Sequence, residues 1–121
     1  MSPTQRSLQF CRDHGWTAQV VERWNPFAGV RVDLFGIIDI VALYDVDGNN
    51  RCVGIQCTAS GWTDRMKKAE AEPRLLKWLA AGCLFEVWGW RTLKFGKRDR
   101  WFPKMMRAEM TNGEIEWKEI T

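Results

Sequence analysis

Apolar positions follow strand-like runs over most of the chain and helix-like spacing in two stretches. Near the start, "TQRSLQFCRDH" at 4–14 spaces apolar residues three positions apart and stops at Gly15, which predicts a first helix. Further along, "ASGWTDRMKKAEAEPRLLKWLAAG" has a helical composition. Pro73 divides it, because proline is tolerated in a first helical turn but not in a helix interior. The pattern predicts a short helix near 63–71 and another from about Pro73.

The remaining apolar runs predict strands separated by turn residues. In chain order these runs are "TAQVVERW", "FGIIDIVALY", "CVGIQCT" and "CLFEVWGWRTL". The "NPFAG" loop follows the first run, and "DVDGNN" joins the second run to the third. Near the end, "NG" between two strand-like runs predicts a terminal hairpin.

The order of these elements predicts an α/β fold with a mixed sheet flanked by helices. Strands one to three can form an antiparallel meander, since only turns and a loop separate them. The helix pair between strands three and four predicts a crossover connection, which makes those two strands parallel. At 121 residues the chain is long enough for one domain spanning 1–121.

Two polar residues interrupt the apolar strands, Asp39 in the second strand and Gln56 in the third. Burying such groups without a partner costs roughly 2 to 7 kcal/mol, and more for a charge. If the two strands pair across a turn centred at about 47.5, the two side chains lie near one another at the same end of the hairpin.

Two explanations of this polar pair stay open. A carboxylate and an amide oxygen suit a hard cation such as Mg²⁺, which prefers oxygen ligands. Alternatively, Asp39 accepts a hydrogen bond from a backbone amide or from Arg31, and Gln56 is satisfied inside the sheet.

Charge is uneven along the chain although the net charge is only +3. The excess lies between residues 91 and 107, with a single opposing Asp99, and its cations are Arg91, Lys94, Lys97, Arg98, Arg100, Lys104 and Arg107. This stretch can form a phosphate-binding patch if its members share a face, or a solvated surface otherwise. Trp62 and Trp101 stand in basic surroundings and are candidates for stacking on bases.

Composition excludes several classes of protein. Hydrophobic residues make up 45% and charged residues 27%, which is typical of globular proteins. Four cysteines without a CxxC pair and a single histidine do not match a zinc site. No apolar run approaches the ~20 residues of a membrane span, and "MSPTQRSLQF" lacks the apolar core of a secretory signal. We therefore expect a cytoplasmic protein, in the host cytoplasm if phage-encoded, that does not contact membranes.

The arrangement "GIIDIVAL…GIQCT" resembles the PD-(D/E)XK nuclease superfamily, and "VVERWNPFAGVRVDLFGIIDIVAL" resembles its small phage and bacterial members. The resemblance covers residues from about 4 to 95. It implies a restriction-endonuclease-like αβββαβ core, with the C-terminal β-hairpin outside it. It also implies that Asp39 and Gln56 bind Mg²⁺ or Mn²⁺, with Asp33 as an extra carboxylate unless Asp33 pairs with Arg31.

The sequence departs from the superfamily pattern at two points. Thr58 stands where the catalytic lysine belongs, and the resemblance implies that Arg65 or Lys68, three apart on the following helix, supplies the cation instead. The acidic residue of the first helix is also missing, and Gln5 or Gln9 could replace it through a water.

Together these features predict a metal-dependent DNA endonuclease that is slow or degenerate. Two other hypotheses remain: a non-catalytic nucleic-acid-binding module on the same fold, and a phage structural or interaction protein. The sequence also leaves a homodimer open.

Overall fold

A six-stranded mixed sheet with helices against both faces organises the protein, and a two-stranded sheet stands beside it. The computed structural model describes residues 1–121. Its helices are α1 (Pro3–Asp13), α2 (Trp62–Glu70) and α3 (Pro73–Ala80). Its strands are β1 (Thr17–Val20), β2 (Arg23–Asn25), β3 (Val30–Val32), β4 (Ile40–Val46), β5 (Asn49–Thr58), β6 (Leu84–Phe95), β7 (Arg98–Thr111) and β8 (Glu114–Glu119).

The helices begin and end close to the predicted positions. At the start of α1, the Ser2 hydroxyl accepts a hydrogen bond from the backbone N–H of Gln5, and Pro3 occupies the first turn. Pro73 likewise occupies the first turn of α3. The α2 helix starts at Trp62, one residue earlier than the predicted 63, and Gly61 is its N-cap. None of the three helices is long and apolar enough to cross a bilayer.

The first two predicted strands are shorter than expected. The chain leaves the main sheet after Val20, forms the separate β2–β3 hairpin, and returns only at Ile40. Phe35 and Gly36 have φ angles of 53° and 75°, and this left-handed backbone turns the chain just before β4. The apolar run that begins at Phe35 therefore predicted a strand where a turn occurs.

The main sheet has the strand order β1-β4-β5-β6-β7-β8. The β1–β4 and β4–β5 pairs are antiparallel, whereas β5 and β6 are parallel, as the crossover through α2 and α3 predicted. The terminal hairpin β7–β8 exists, but β7 pairs with β6 and extends the same sheet. The hairpin therefore adds two strands at the β6 edge of the main sheet, beyond the αβββαβ elements that the resemblance implies.

Each face of the sheet packs on different helices. On one face, Leu8 and Cys11 of α1 pack with Trp88 and Trp90. On the other face, residues of α2 and α3 pack with Phe85 and Val87. Side chains alternate along a strand, so Gly54, Gln56 and Thr58 share one face. A Cβ at Gly54 would approach the Trp78 ring of α3, so this is the face that α2 and α3 cover.

A fully buried carboxylate, Glu86, joins β4, β6 and β7. It accepts hydrogen bonds from the Tyr44 hydroxyl at 3.1 Å, from Trp88 Nε1 at 2.9 Å and from Arg107 Nη2 at 2.8 Å. Burial and the Glu86 charge raise the pKa of the Tyr44 hydroxyl, so Tyr44 remains a hydrogen-bond donor. Arg107 is thus a partner of Glu86, and its expected place in a phosphate-binding patch is wrong.

We expect Arg107→Leu to lower the free energy of unfolding by about 3 to 5 kcal/mol, because it leaves the Glu86 charge buried and uncompensated. Arg100→Leu is the matched control, since Arg100 lies on the same strand but is exposed, and should cost no more than about 0.5 kcal/mol. Urea unfolding of both variants measures the difference. Equal losses would mean that the Glu86–Arg107 pair is not what stabilises this part of the sheet.

Candidate metal site and the neighbouring basic surface

Three carboxylates meet where two hairpins converge. Glu22, Asp33 and Asp39 each place an oxygen within 4.8 Å of the other two. Glu22 and Asp33 flank the β2–β3 hairpin, one residue beyond the Arg23–Val32 pair. Asp39 directly precedes β4. The base of the β2–β3 hairpin and the open end of the β4–β5 hairpin therefore bring the three carboxylates together.

Asp39 is bonded to β5 through one carboxylate oxygen. Oδ2 accepts hydrogen bonds from the Cys57 backbone N–H and from Gln56 Nε2, both at 2.7 Å. The predicted approach of Asp39 and Gln56 is confirmed, because continuing the Ile40–Ile55 pairing by one residue places them opposite each other. The alternative that Asp39 binds a backbone amide is also correct, whereas the one with Arg31 as its partner is wrong.

Gln56 is buried, but only the nitrogen of its side-chain amide forms hydrogen bonds. Only 2% exposed, it directs Nε2 toward Asp39 and, at 3.4 Å, toward Asp33 Oδ2. Its Oε1 is buried and has no hydrogen-bond partner, so the alternative that Gln56 is satisfied inside the sheet is wrong. Half a turn of the amide exchanges the two atoms, and the same side chain could then present an oxygen to the carboxylates.

The carboxylate cluster changes the ionisation of Asp39. Burial raises the pKa of Asp39 to about 8, the hydrogen bond with Asp33 and the charges of Asp33 and Glu22 add to the shift, and the Cys57 N–H opposes it. The Asp39–Asp33 pair therefore retains a proton to a higher pH than an isolated carboxyl would.

The cluster lines an open cleft of about 800 Å³ that also contains three cations. Lys68 Nζ lies 3.9 Å from Asp33 Oδ2, and Arg31 Nη1 lies 3.6 Å from Glu22 Oε1. Arg65 lines the cleft with no carboxylate within 4.0 Å. The alternative that Asp33 pairs with Arg31 is therefore wrong, and both predicted helix cations lie at the cleft.

Thr58 also lines the cleft and is 8% exposed. Its hydroxyl accepts a hydrogen bond from the Gly61 backbone N–H at 3.1 Å, which fixes the turn that leads into α2. Thr58 therefore holds the helix that carries Arg65 and Lys68, and supplies no charge of its own.

Glu22 is the carboxylate that the sequence analysis missed, and Gln5 and Gln9 do not line the cleft. Gln9 instead donates a hydrogen bond to Asp13. Glu22 could have been found by counting residues outward from a loop, as for Asp39 and Gln56. Glu22 and Asp33 are equidistant from the Phe27–Ala28 bond within the "NPFAG" loop, just as Asp39 and Gln56 are from the centre of the 45–50 turn.

The basic stretch is the long β6–β7 hairpin. Arg91, Lys94, Lys97, Arg98 and Arg100 are exposed and form no ion pair. Lys104 differs, because its Nζ lies 3.8 Å from Glu119 Oε1 and 4.9 Å from the Trp62 ring centre.

The two tryptophans predicted to stack on bases have protein partners. Trp62 is packed between Gly89 and Lys104, so the structure does not favour it as a stacking platform. Trp101 is 46% exposed, and the Arg6 guanidinium lies 4.0 Å from its ring centre.

The residues of the cluster fit a hard divalent cation. Three carboxylates supply oxygens, the ligands that Mg²⁺ and Mn²⁺ prefer, and Gln56 would add its unpartnered Oε1 once the amide is rotated by half a turn. No sulfur or imidazole ligand belongs to the cluster, which disfavours zinc.

Comparisons of the chain with models of protein families, with curated proteins and with solved structures found no match. The α/β architecture and the geometry of the cleft are therefore the basis for inferring function.

In the presence of a chelator, the free energy of unfolding should fall as pH rises from about 4 to about 8. The native protein retains the Asp39 proton up to a pKa of about 8, whereas an unfolded aspartate loses it near pH 3.9. The stabilisation from the Asp39 proton is therefore fully present below about pH 4 and is lost as the pH rises through about 8. Asp39→Asn should flatten the slope in urea unfolding across this range. An unchanged slope would assign the pH dependence to other groups.

Mg²⁺ or Mn²⁺ should raise the melting temperature by binding the native state alone. At a hundredfold excess over Kd the gain is about 2.7 kcal/mol, or roughly 10 °C for a chain of this length. Asp39→Asn should remove most of the increment. Asp47→Asn, an exchange of the same kind at an exposed turn with φ of 53°, should keep it. An equal increment in wild type and Asp39→Asn would exclude Asp39 as a ligand.

Proposed function

We propose that the protein is a metal-dependent phosphodiesterase that hydrolyses DNA, on a variant of the restriction-endonuclease-like fold. The observation that supports this most is the convergence of Glu22, Asp33 and Asp39 beside the unpartnered Gln56 oxygen. The order of helices and strands, with β5 and β6 parallel after a helical crossover, agrees with the αβββαβ core that the resemblance implies.

In this proposal Glu22, Asp33, Asp39 and Gln56 hold Mg²⁺ or Mn²⁺. When bound, such an ion lowers the pKa of a water and offsets negative charge on phosphate oxygens. Lys68 Nζ lies 3.9 Å from Asp33 and reduces the repulsion among the carboxylates. It also replaces the lysine that the superfamily pattern has at the position of Thr58.

Arg65 is the residue suited to the substrate phosphate. Its guanidinium is half-buried at the cleft and has no carboxylate partner. A planar guanidinium can donate two parallel hydrogen bonds to phosphate oxygens and stabilise the charge that develops there during hydrolysis. Arg65 would bind and orient the phosphodiester while the carboxylates position the reacting water.

A non-catalytic nucleic-acid-binding module is the second candidate. One observation favours it: position 58 carries a threonine, whose hydroxyl accepts a hydrogen bond from the Gly61 N–H and supplies no charge to the cleft. In this case the exposed cations of the β6–β7 hairpin would bind DNA without cleavage.

Cleavage of duplex, single-stranded and branched DNA with Mn²⁺ and Mg²⁺ tests the proposal. Asp39→Ala and Lys68→Ala should abolish activity, and Arg65→Gln should lower it by about 10²-fold or more, since removing one such donor typically costs that much. Lys67→Ala is the matched control, because Lys67 is an exposed lysine of the same helix that does not line the cleft.

A rescue variant separates the two candidates. Thr58→Lys would return an ammonium to the cleft, and it should partly restore cleavage in the Lys68→Ala background. If wild type, Thr58→Lys and Lys67→Ala all bind DNA and none cleaves it with either metal, the protein is a binding module.

A further inference from the structure

The outer half of the β6–β7 hairpin is a two-stranded ribbon, with no third strand paired to it. Its six residue pairs run from Trp90–Pro103 to Phe95–Arg98, which corresponds to a length of about 20 Å. β5 pairs with β6 only as far as Gly89, and β8 pairs with β7 only from Met106. Every residue from 91 to 101 is exposed. We define this segment, residues 90–103, as the ribbon.

The ribbon contains more than the whole net positive charge of the protein. Five cations and one aspartate give it a net charge of +4, whereas the complete chain has +3. The remainder of the protein is therefore slightly acidic, and the ribbon is the part that attracts a polyanion.

The two faces of the ribbon differ. Opposed residues of an antiparallel pair share a face, so Arg91, Leu93, Phe95, Arg98 and Arg100 lie on the side of Gly89, which contacts Trp62 of α2. The opposite face carries Lys94 and Trp101, and there Arg6 of α1 covers Trp101 at 4.0 Å. One face is thus braced by α1, while the face with three arginines is open.

The open face and the cleft lie on the same side and at the same end of the sheet. Gln56 and Thr58 point toward the α2–α3 side, and Thr58 is level with Gly89 in the parallel pairing. The ribbon begins at the next residue and projects beyond that end. A polyanion bound along the arginine face is therefore directed toward Arg65 and the carboxylates.

We propose that the ribbon enters the major groove of B-form duplex DNA with its arginine face toward the groove, and that it presents the phosphodiester backbone to the cleft. This inference rests on the proposed function for the role of the cleft. The major groove is about 12 Å wide and admits a two-stranded β-ribbon. Arginine is the side chain that most often bonds to guanine O6 and N7 there.

Other nucleic acids fit the ribbon less well. The major groove of A-form RNA is too deep and narrow for side chains to read. Single strands are usually bound by aromatic platforms in a basic groove, but Phe95 stacks on Phe102 at 5.3 Å and Arg100 lies 5.8 Å from the Phe95 ring. The Phe95 ring therefore already has two partners within the ribbon.

Binding to one 20-base-pair sequence as DNA duplex, RNA duplex and single strand tests the proposal, with Ca²⁺ present to prevent cleavage. Wild type should prefer the DNA duplex by at least about tenfold. Each cation lost from the arginine face leaves one more phosphate charge of the groove unneutralised, which weakens binding about eightfold at 0.1 M salt and lowers the slope of log affinity against log salt by about 0.9. Arg98→Gln/Arg100→Gln should therefore lower the slope by up to about 1.8. Lys94→Gln on the opposite face should leave the slope unchanged.

Methylation interference locates the groove. Methylation of guanine N7, in the major groove, should block wild-type binding, whereas methylation of adenine N3, in the minor groove, should not. Replacing 93–100 by Asn-Gly, which closes the shortened hairpin between Thr92 and Trp101, should abolish the interference, with thermal unfolding showing that the variant folds. Equal affinity for all three nucleic acids, interference only at adenine N3, or equal effects of the arginine pair and Lys94→Gln would each overturn the proposal.

The small substrate bis(p-nitrophenyl) phosphate separates this inference from the proposed function. It is too small to reach both the ribbon and the cleft. Absence of its hydrolysis by wild type with Mn²⁺ would count against the catalytic cleft, while the interference pattern would still decide the role of the ribbon.

Discussion

Crowding of negative charge around a buried carboxylate is the constraint on which the candidate site depends. Asp39 is 4% exposed, and Glu22 and Asp33 lie within 4.8 Å of it. This crowding has an electrostatic cost. Without a bound metal, two hydrogen bonds to Asp39 Oδ2, the nearby Lys68 and the raised pKa of Asp39 offset it. The same arrangement has oxygens on three sides of a common point, so a divalent cation would relieve the repulsion that the fold creates.

The parallel pairing of β5 with β6 links this site to the basic surface. Because the two strands run in the same direction, β5 ends beside the cleft at the level of Gly89. From there β6 continues into the ribbon with β7 as its only paired strand. The buried Glu86–Arg107 pair lies at the opposite end of the β6–β7 pairing and ties the base of the ribbon to the core. The candidate metal site, beside β4 and β5, and the ribbon, on β6 and β7, are therefore parts of one sheet.

Local sequence signals predicted most of the fold. Pro73 divided the helix pair, Asp47-Gly48 and Asn112-Gly113 closed hairpins, and the register around the first of these turns placed Asp39 opposite Gln56. Such features are set by nearby residues, since turn geometry determines the register of the strands that it joins. The same count around the Phe27–Ala28 bond of the "NPFAG" loop would have paired Glu22 with Asp33.

Other features were decided only by tertiary structure. Phe35 to Ile38 continues the apolar run of the next strand, but the chain turns there to bring the two hairpins together. Arg100 and Arg107 are alike in sequence, yet Arg107 meets buried Glu86 while Arg100 is left on the exposed ribbon. The sequence alone determined strands, turns and their local pairing, because these depend on short-range backbone geometry. The partner of each charge depended on long-range packing, which residue spacing does not encode.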